Sequence, residues 1–156
     1  MAPSPRPGAA VVALVIACVA LALAAWPYLR PERSMSYPEA DVQRAEARLC
    51  AAHDLASTSV GIQTNAEPPS DPAGVLATAA NARLALVVAS ADLTAAADES
   101  PAAPPELTSA VRDLADRYRV VASNYLAGAD NNTPSVAEAL RAAAAAATTI
   151  DSSCGR

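Results

Sequence analysis

The sequence predicts an all-α protein: an N-terminal transmembrane helix, then an antiparallel up-down four-helix bundle stapled by one disulfide. Three observations predict it. Residues 9–26, AAVVALVIACVALALAAW, contain no charge and no hydroxyl. From Glu39 onward, apolar or small residues recur at alternating spacings near three and four, in four segments separated by Pro- or Asn-rich breaks. Outside the apolar run exactly one pair of cysteines remains, Cys50 and Cys154.

Composition narrows the alternatives. The chain has 156 residues, too few for two sizeable domains. Aromatics make up 3% and Phe is absent, so the bulky residues a β-sandwich or barrel needs are scarce. Alanine, at 42 residues, is the best helix former and lets backbones approach closely. With 11 Arg, no Lys and 16 acids, the net charge is -5, and nucleic acid is not an expected partner.

Residues 1–8 form a short tail and residues 9–29 the expected transmembrane signal anchor. At helical rise the 18 residues of the apolar run reach about 27 Å, close to the hydrocarbon thickness of a bilayer. Trp26 and Tyr28 follow, where amphipathic rings favour the membrane interface, and Arg30 and Arg33 come next. Two other readings stay open. Ala22-Leu23-Ala24 is an A-x-A signal for cleavage near Ala24. Val15-Ile16-Ala17-Cys18 resembles the lipobox of bacterial lipoproteins, with Cys18 the acylated residue, although apolar residues follow Cys18 where lipoproteins turn polar. Arg6 on one side nearly balances Arg30 and Arg33, less Glu32, on the other, so charge alone does not orient the span. The cysteine pair does. A disulfide belongs to an exported compartment, which places residues 39–156 outside the cytoplasm as a single-pass protein of the cell membrane.

Residues 30–38 form a Pro-rich juxtamembrane linker. The first bundle helix is expected at about 39–65, with Val42, Ala45, Leu49, Ala52, Ala56 and Val60 on one face. The second, at about 72–99, opens on an Asp71 N-cap with Pro72 at N1 and carries Val75, Ala79, Ala82, Leu86, Ala89, Leu93 and Ala96. The third, at about 105–127, carries Leu107, Val111, Leu114, Tyr118, Val121 and Tyr125. The fourth, at about 134–154, repeats the cap device with Thr133-Pro134 and carries Val136, Leu140, Ala143, Ala147, Ile150 and Cys154. Four such segments with loops of about six residues describe a helical bundle.

A core of Leu, Val and Ala buries little area, so a Cys50–Cys154 staple is useful. In an up-down bundle the start of helix 1 lies beside the end of helix 4. Cys50 is about three turns into helix 1, so residues 39–49 are expected to protrude as a stalk of roughly 16 Å.

A search for chemistry yields little. The sequence has no phosphate-binding loop, nucleophile elbow, H-E-x-x-H or C-x-x-C. Its single His excludes the paired Glu-x-x-His motifs of a di-iron bundle. Glu46, Cys50 and His53 share one helical face with Asp54 beside them, donors that suit zinc or a thiol nucleophile. Consumption of Cys50 in the disulfide removes that use. No metal, no cofactor and no enzymatic activity are expected. Tyr118 and Tyr125, seven residues apart, are the large rings of the bundle and the candidate ligand-facing core. Arg112/Asp116 and Asp113/Arg117 are i,i+4 pairs that mark a solvated face.

Stretches such as AAVVALVIACVALALAAW and ALRAAAAAATTI make the chain resemble the Ala/Pro-rich single-span membrane proteins of high-GC actinobacteria, mycobacteria among them. Proteins of that kind generally have no assigned activity, so the resemblance transfers no site residues. It implies a cell-envelope location. The expected partners are the lipid bilayer and another envelope protein, and the expected role is an interaction or structural module. The alternative is a binding protein for an apolar or envelope-derived ligand.

Overall fold

A computed structural model of the chain describes residues 36–67 and 69–156. The expected anchor at 9–29, with Ala24 and Cys18, lies outside the described residues, as does most of the linker. The chain divides into two units, residues 1–36 and 37–156, and the described helices belong to the second. They are α1 (Glu39–Thr64), α2 (Pro72–Asp98), α3 (Pro105–Leu126) and α4 (Pro134–Ser153). No strand occurs among the described residues.

Local chemistry sets the helix ends. Asp71 caps α2, accepting a hydrogen bond from Gly74 N at 2.8 Å, and Pro72 fills the first turn. Thr133 does not repeat this device, contrary to the sequence expectation. Its hydroxyl donates to Asp130 Oδ1, which also accepts from the backbone of Asn132 and Thr133. The aspartate two residues before Asn132 thus builds the turn and takes the hydroxyl a cap needs. At the other ends, Gly128 (φ 89°) and Gly155 (φ 73°) take left-handed backbone conformations. Each closes its helix with a six-to-one bond, Ala129 N to Asn124 O and Arg156 N to Asp151 O.

Consecutive helices lie side by side, α1 on α2, α2 on α3 and α3 on α4. Polar contacts fix the directions. Arg48 of α1 reaches Glu99 just after α2, and Arg112 of α3 pairs with Asp98 of α2 at 2.9 Å. Ser135 of α4 donates to Asn124 of α3 at 3.1 Å. The Arg112–Asp98 pair replaces the expected Arg112/Asp116 pair on one helix, and Asp116 pairs with Arg119 instead. The guanidinium reaches across to α2 because α3 starts beside the end of α2.

The buried residues form two clusters. The larger centres on Leu49, Leu93, Leu107, Val111, Leu114 and Ile150. The smaller joins Leu86, Val121, Ala122, Val136 and Ala139. Two seam assignments shift by one position. Ala139 rather than Leu140 faces the core, and Leu140 is 37% exposed. His53 rather than Ala52 is the fully buried residue of the second turn past Ala45 and Leu49 on α1. Both shifts follow from small residues on adjacent positions, which let a helix rotate without loss of fit. The expected stalk is also corrected. Ala45 and Leu49 are buried, because the loop at Ser100–Ala103 extends past α4 and covers the start of α1.

Core and tip make opposite predictions. Leu93 is fully buried and Leu84 is 59% exposed on the same helix. Leu93→Ala is expected to cost about 2–5 kcal/mol in chemical denaturation, while Leu84→Ala stays within about 0.5 kcal/mol of the parent.

Candidate functional site: the α1–α4 edge and the helical hairpin tip

The edge between α1 and α4 is the most chemically organised place in the described chain. Cys50 of α1 is bonded to Cys154, which caps α4, with Cα atoms 5.9 Å apart. One helical turn away, His53 Nε2 lies 3.2 Å from Asp151 Oδ1. The two pairs share one antiparallel register, since Cys50 to His53 and Asp151 to Cys154 are steps of three in opposite directions. Arg156 adds a further link, its guanidinium donating to Asp54 of α1. The left-handed Gly155 turns the chain back so that Arg156 can reach α1.

A polar chain runs inward from this edge. The Nε2 proton is directed at Asp151, and Ser57 Oγ lies 3.3 Å from Nδ1. The hydroxyl of Tyr118 on α3 lies close enough to Ser57 to interact with it. Three helices are thereby tied through a histidine only 2% exposed. The order carboxylate, imidazole, hydroxyl invites comparison with a hydrolytic triad. The geometry suits a strut instead. Ser57 Oγ sits 3.3 Å from Nδ1 and 3.5 Å from Nε2, nearly equidistant and therefore not aligned along the lone pair of one nitrogen.

Burial disfavours the imidazolium and lowers the His53 pKa from its usual 6.5, with Asp151 opposing and Arg156 reinforcing the shift. Burial raises the Tyr118 phenol, with the Ser57 bond opposing. Burial and then Asp130 raise Tyr125.

The sequence-selected residues separate in space. Cys50 is in the disulfide, His53 faces Asp151 and Asp54 faces Arg156. No group of three or more His, Cys, Asp or Glu could hold a metal among the described residues. Tyr118 packs against both core clusters, and Tyr125 packs on the smaller one and donates to Asn131. The main grooves lie elsewhere. One of about 620 Å³ runs along α2 and α3, lined by Val87, Ala91, Ala95, Ala122 and Leu126 with Asp98, Asp116 and Arg119. Another of about 480 Å³ lies between α3 and α4. Both are open troughs, and neither tyrosine lines them. Asp151, Ser57 and Arg156 were missed from sequence. The shared register of Cys50–Cys154 is the signal that could have placed Asp151 opposite His53.

The end away from the disulfide is built differently. No described residue from 57 to 85 is fully buried. Yet this tip of the α1–α2 hairpin displays Ile62, Val75, Leu76 and Leu84, at 62, 44, 70 and 59% exposure. Leu126 of α3 and Leu140 of α4 are exposed at the same end. By length and composition α2 is apolar enough to cross a membrane. The helix that passes this test is therefore a packed helix of the second unit, distinct from the expected anchor at 9–29. No known protein family, curated protein or solved structure matches the chain.

The histidine yields a pH prediction. Below about pH 6.5 the unfolded chain protonates its histidine more readily than the folded one, so stability falls on acidification through the lowered native value. Between about pH 7 and pH 5, the parent is expected to lose more unfolding free energy than His53→Gln, by a slope of up to about 1.4 kcal/mol per pH unit. Parallel pH profiles for the two proteins would show that His53 stays as protonatable as in the open chain.

Proposed function

We propose that this protein is a membrane-anchored, extracytoplasmic up-down helical bundle that serves as an interaction module of the cell envelope. The observation that carries the reading is the hairpin tip. A helix that is apolar on every side belongs in a buried setting, yet α2 before Leu86 has no fully buried residue. Several exposed Leu, Ile and Val side chains at one end of a small domain favour a contact surface there. The disulfide supports an oxidising compartment, and the apolar run at 9–26 supports a tether to the bilayer. The partner proposed is another envelope protein that offers an apolar helical face, with the stapled end of the bundle holding the tip in place.

The second reading is capture of an apolar ligand. It draws on the α2–α3 trough, where Val87, Ala91, Ala95, Ala122 and Leu126 line the walls together with six polar or charged residues. An open trough covers less of a small molecule than the enclosed sites that usually hold one. The interaction module is therefore the stronger reading.

Crosslinking in intact membranes, followed by affinity purification of the full chain, tests it. Leu76→Asp/Leu84→Asp is expected to remove the crosslinked species while the melting temperature stays within about 2–4 °C of the parent, as expected for exposed positions. Unchanged crosslinking in this variant would place the contact surface elsewhere.

A further inference from the structure

The four helices are closed unequally. α1, α2, α3 and α4 pack along one another in sequence order, whereas α1 meets α4 over a far shorter stretch. That stretch consists of Cys50–Cys154, His53–Asp151 and Arg156–Asp54. From Asp151 toward the tip, the partly or fully buried residues of α4 down to Ala142 are Ile150 and the alanines Ala147, Ala146, Ala143 and Ala142. Alanine side chains add little area to a seam, and Tyr118 of α3 lies near Ser57 of α1. The Arg156–Asp54 pair is solvent-exposed on both sides, at 39% and 57%, so it adds little cohesion. Directly beneath the edge lie Leu49, Ala56, Ala143 and Ile150 of the larger core cluster.

We infer that the α1–α4 edge is a redox latch: reduction of Cys50–Cys154 opens this seam while the α2–α3 and α3–α4 interfaces stay closed. Both cysteines are half-buried rather than sealed in the core, so a small thiol can reach them. The co-reactant is a dithiol reductant. Its thiolate attacks one sulfur of the bond and releases the other cysteine as a thiolate. Its second thiol then displaces the mixed disulfide. Two electrons pass to the protein, two protons are taken up, Cys50 and Cys154 end as thiols, and the reductant ends as a disulfide. Without the bond, α4 is held mainly by α3, and α1 mainly by α2. The opened seam presents Leu49, Ile150 and His53 to solvent or to a partner. This inference does not depend on the tip being a contact surface.

Hydrogen exchange on the full chain in mild detergent, with and without a dithiol, tests it. Amide exchange is expected to rise about tenfold or more in residues 45–56 and 143–153 on reduction, with less than about a twofold change in residues 86–93 and 107–114. Cys50→Ser/Cys154→Ser is expected to show the reduced pattern with no reductant present. A uniform rise across all four helices in both samples would mean that the bond stabilises the whole fold and is no latch. No change anywhere would mean that the seam stays shut without it. Either result overturns the inference.

Discussion

The structure depends on one constraint: a chain built from alanine has little side-chain volume to bury. Eleven of the twenty buried apolar residues in the described chain are alanine. Each removes far less area from water than a leucine does, so cohesion must come from close approach of helices and from a few large anchors. Leu49, Leu93, Leu107, Leu114 and Ile150 are those anchors, and all five belong to the larger cluster. Beyond them the buried core narrows to the smaller cluster around Leu86, Val121 and Val136. The disulfide lies at the edge where α1 and α4 share only a short interface, and it contributes by restricting the unfolded chain across a sequence separation of 104 residues.

The same constraint explains the two unlike ends. Near the disulfide, helices are joined by Arg48–Glu99, Arg112–Asp98, His53–Asp151 and Arg156–Asp54. Most of these pairs are exposed and weak singly. They specify which helix ends belong together more than they hold them. Toward the α1–α2 loop no ion pair joins the described helices, and apolar side chains turn outward instead. One end is pinned and the other is available, which is the division the proposed interaction module needs.

Much of the helical layout was legible in the sequence because its punctuation is strong. Pro72, Pro105 and Pro134 each begin a helix, and the Asn131-Asn132 turn separates the last two. The pairing of Cys50 with Cys154 was legible because they are the two cysteines beyond the apolar run. What was not legible is helix rotation. Leu140 looked like a core residue by its size, but Ala139 and Ala143 fit the narrow space against α3 better. The burial of His53 was hidden for a related reason. A lone histidine on a helix gives no sign of its partner, and Asp151 is 98 residues away. The cover over Ala45 and Leu49 was missed because loop direction is not written in a Pro-rich loop's composition.

Everything argued about the edge, the strut and the seam assumes that α1 and α4 are joined where the geometry joins them. Trypsin cuts after Arg48, Arg83 and Arg141, so Cys50 falls in peptide 49–83 and Cys154 in peptide 142–156. Mass spectrometry of a non-reduced tryptic digest, with free thiols alkylated first, is the direct measurement. The account predicts one linked species of these two peptides that separates on reduction. Recovery of both peptides individually alkylated, with no reductant added, would contradict it.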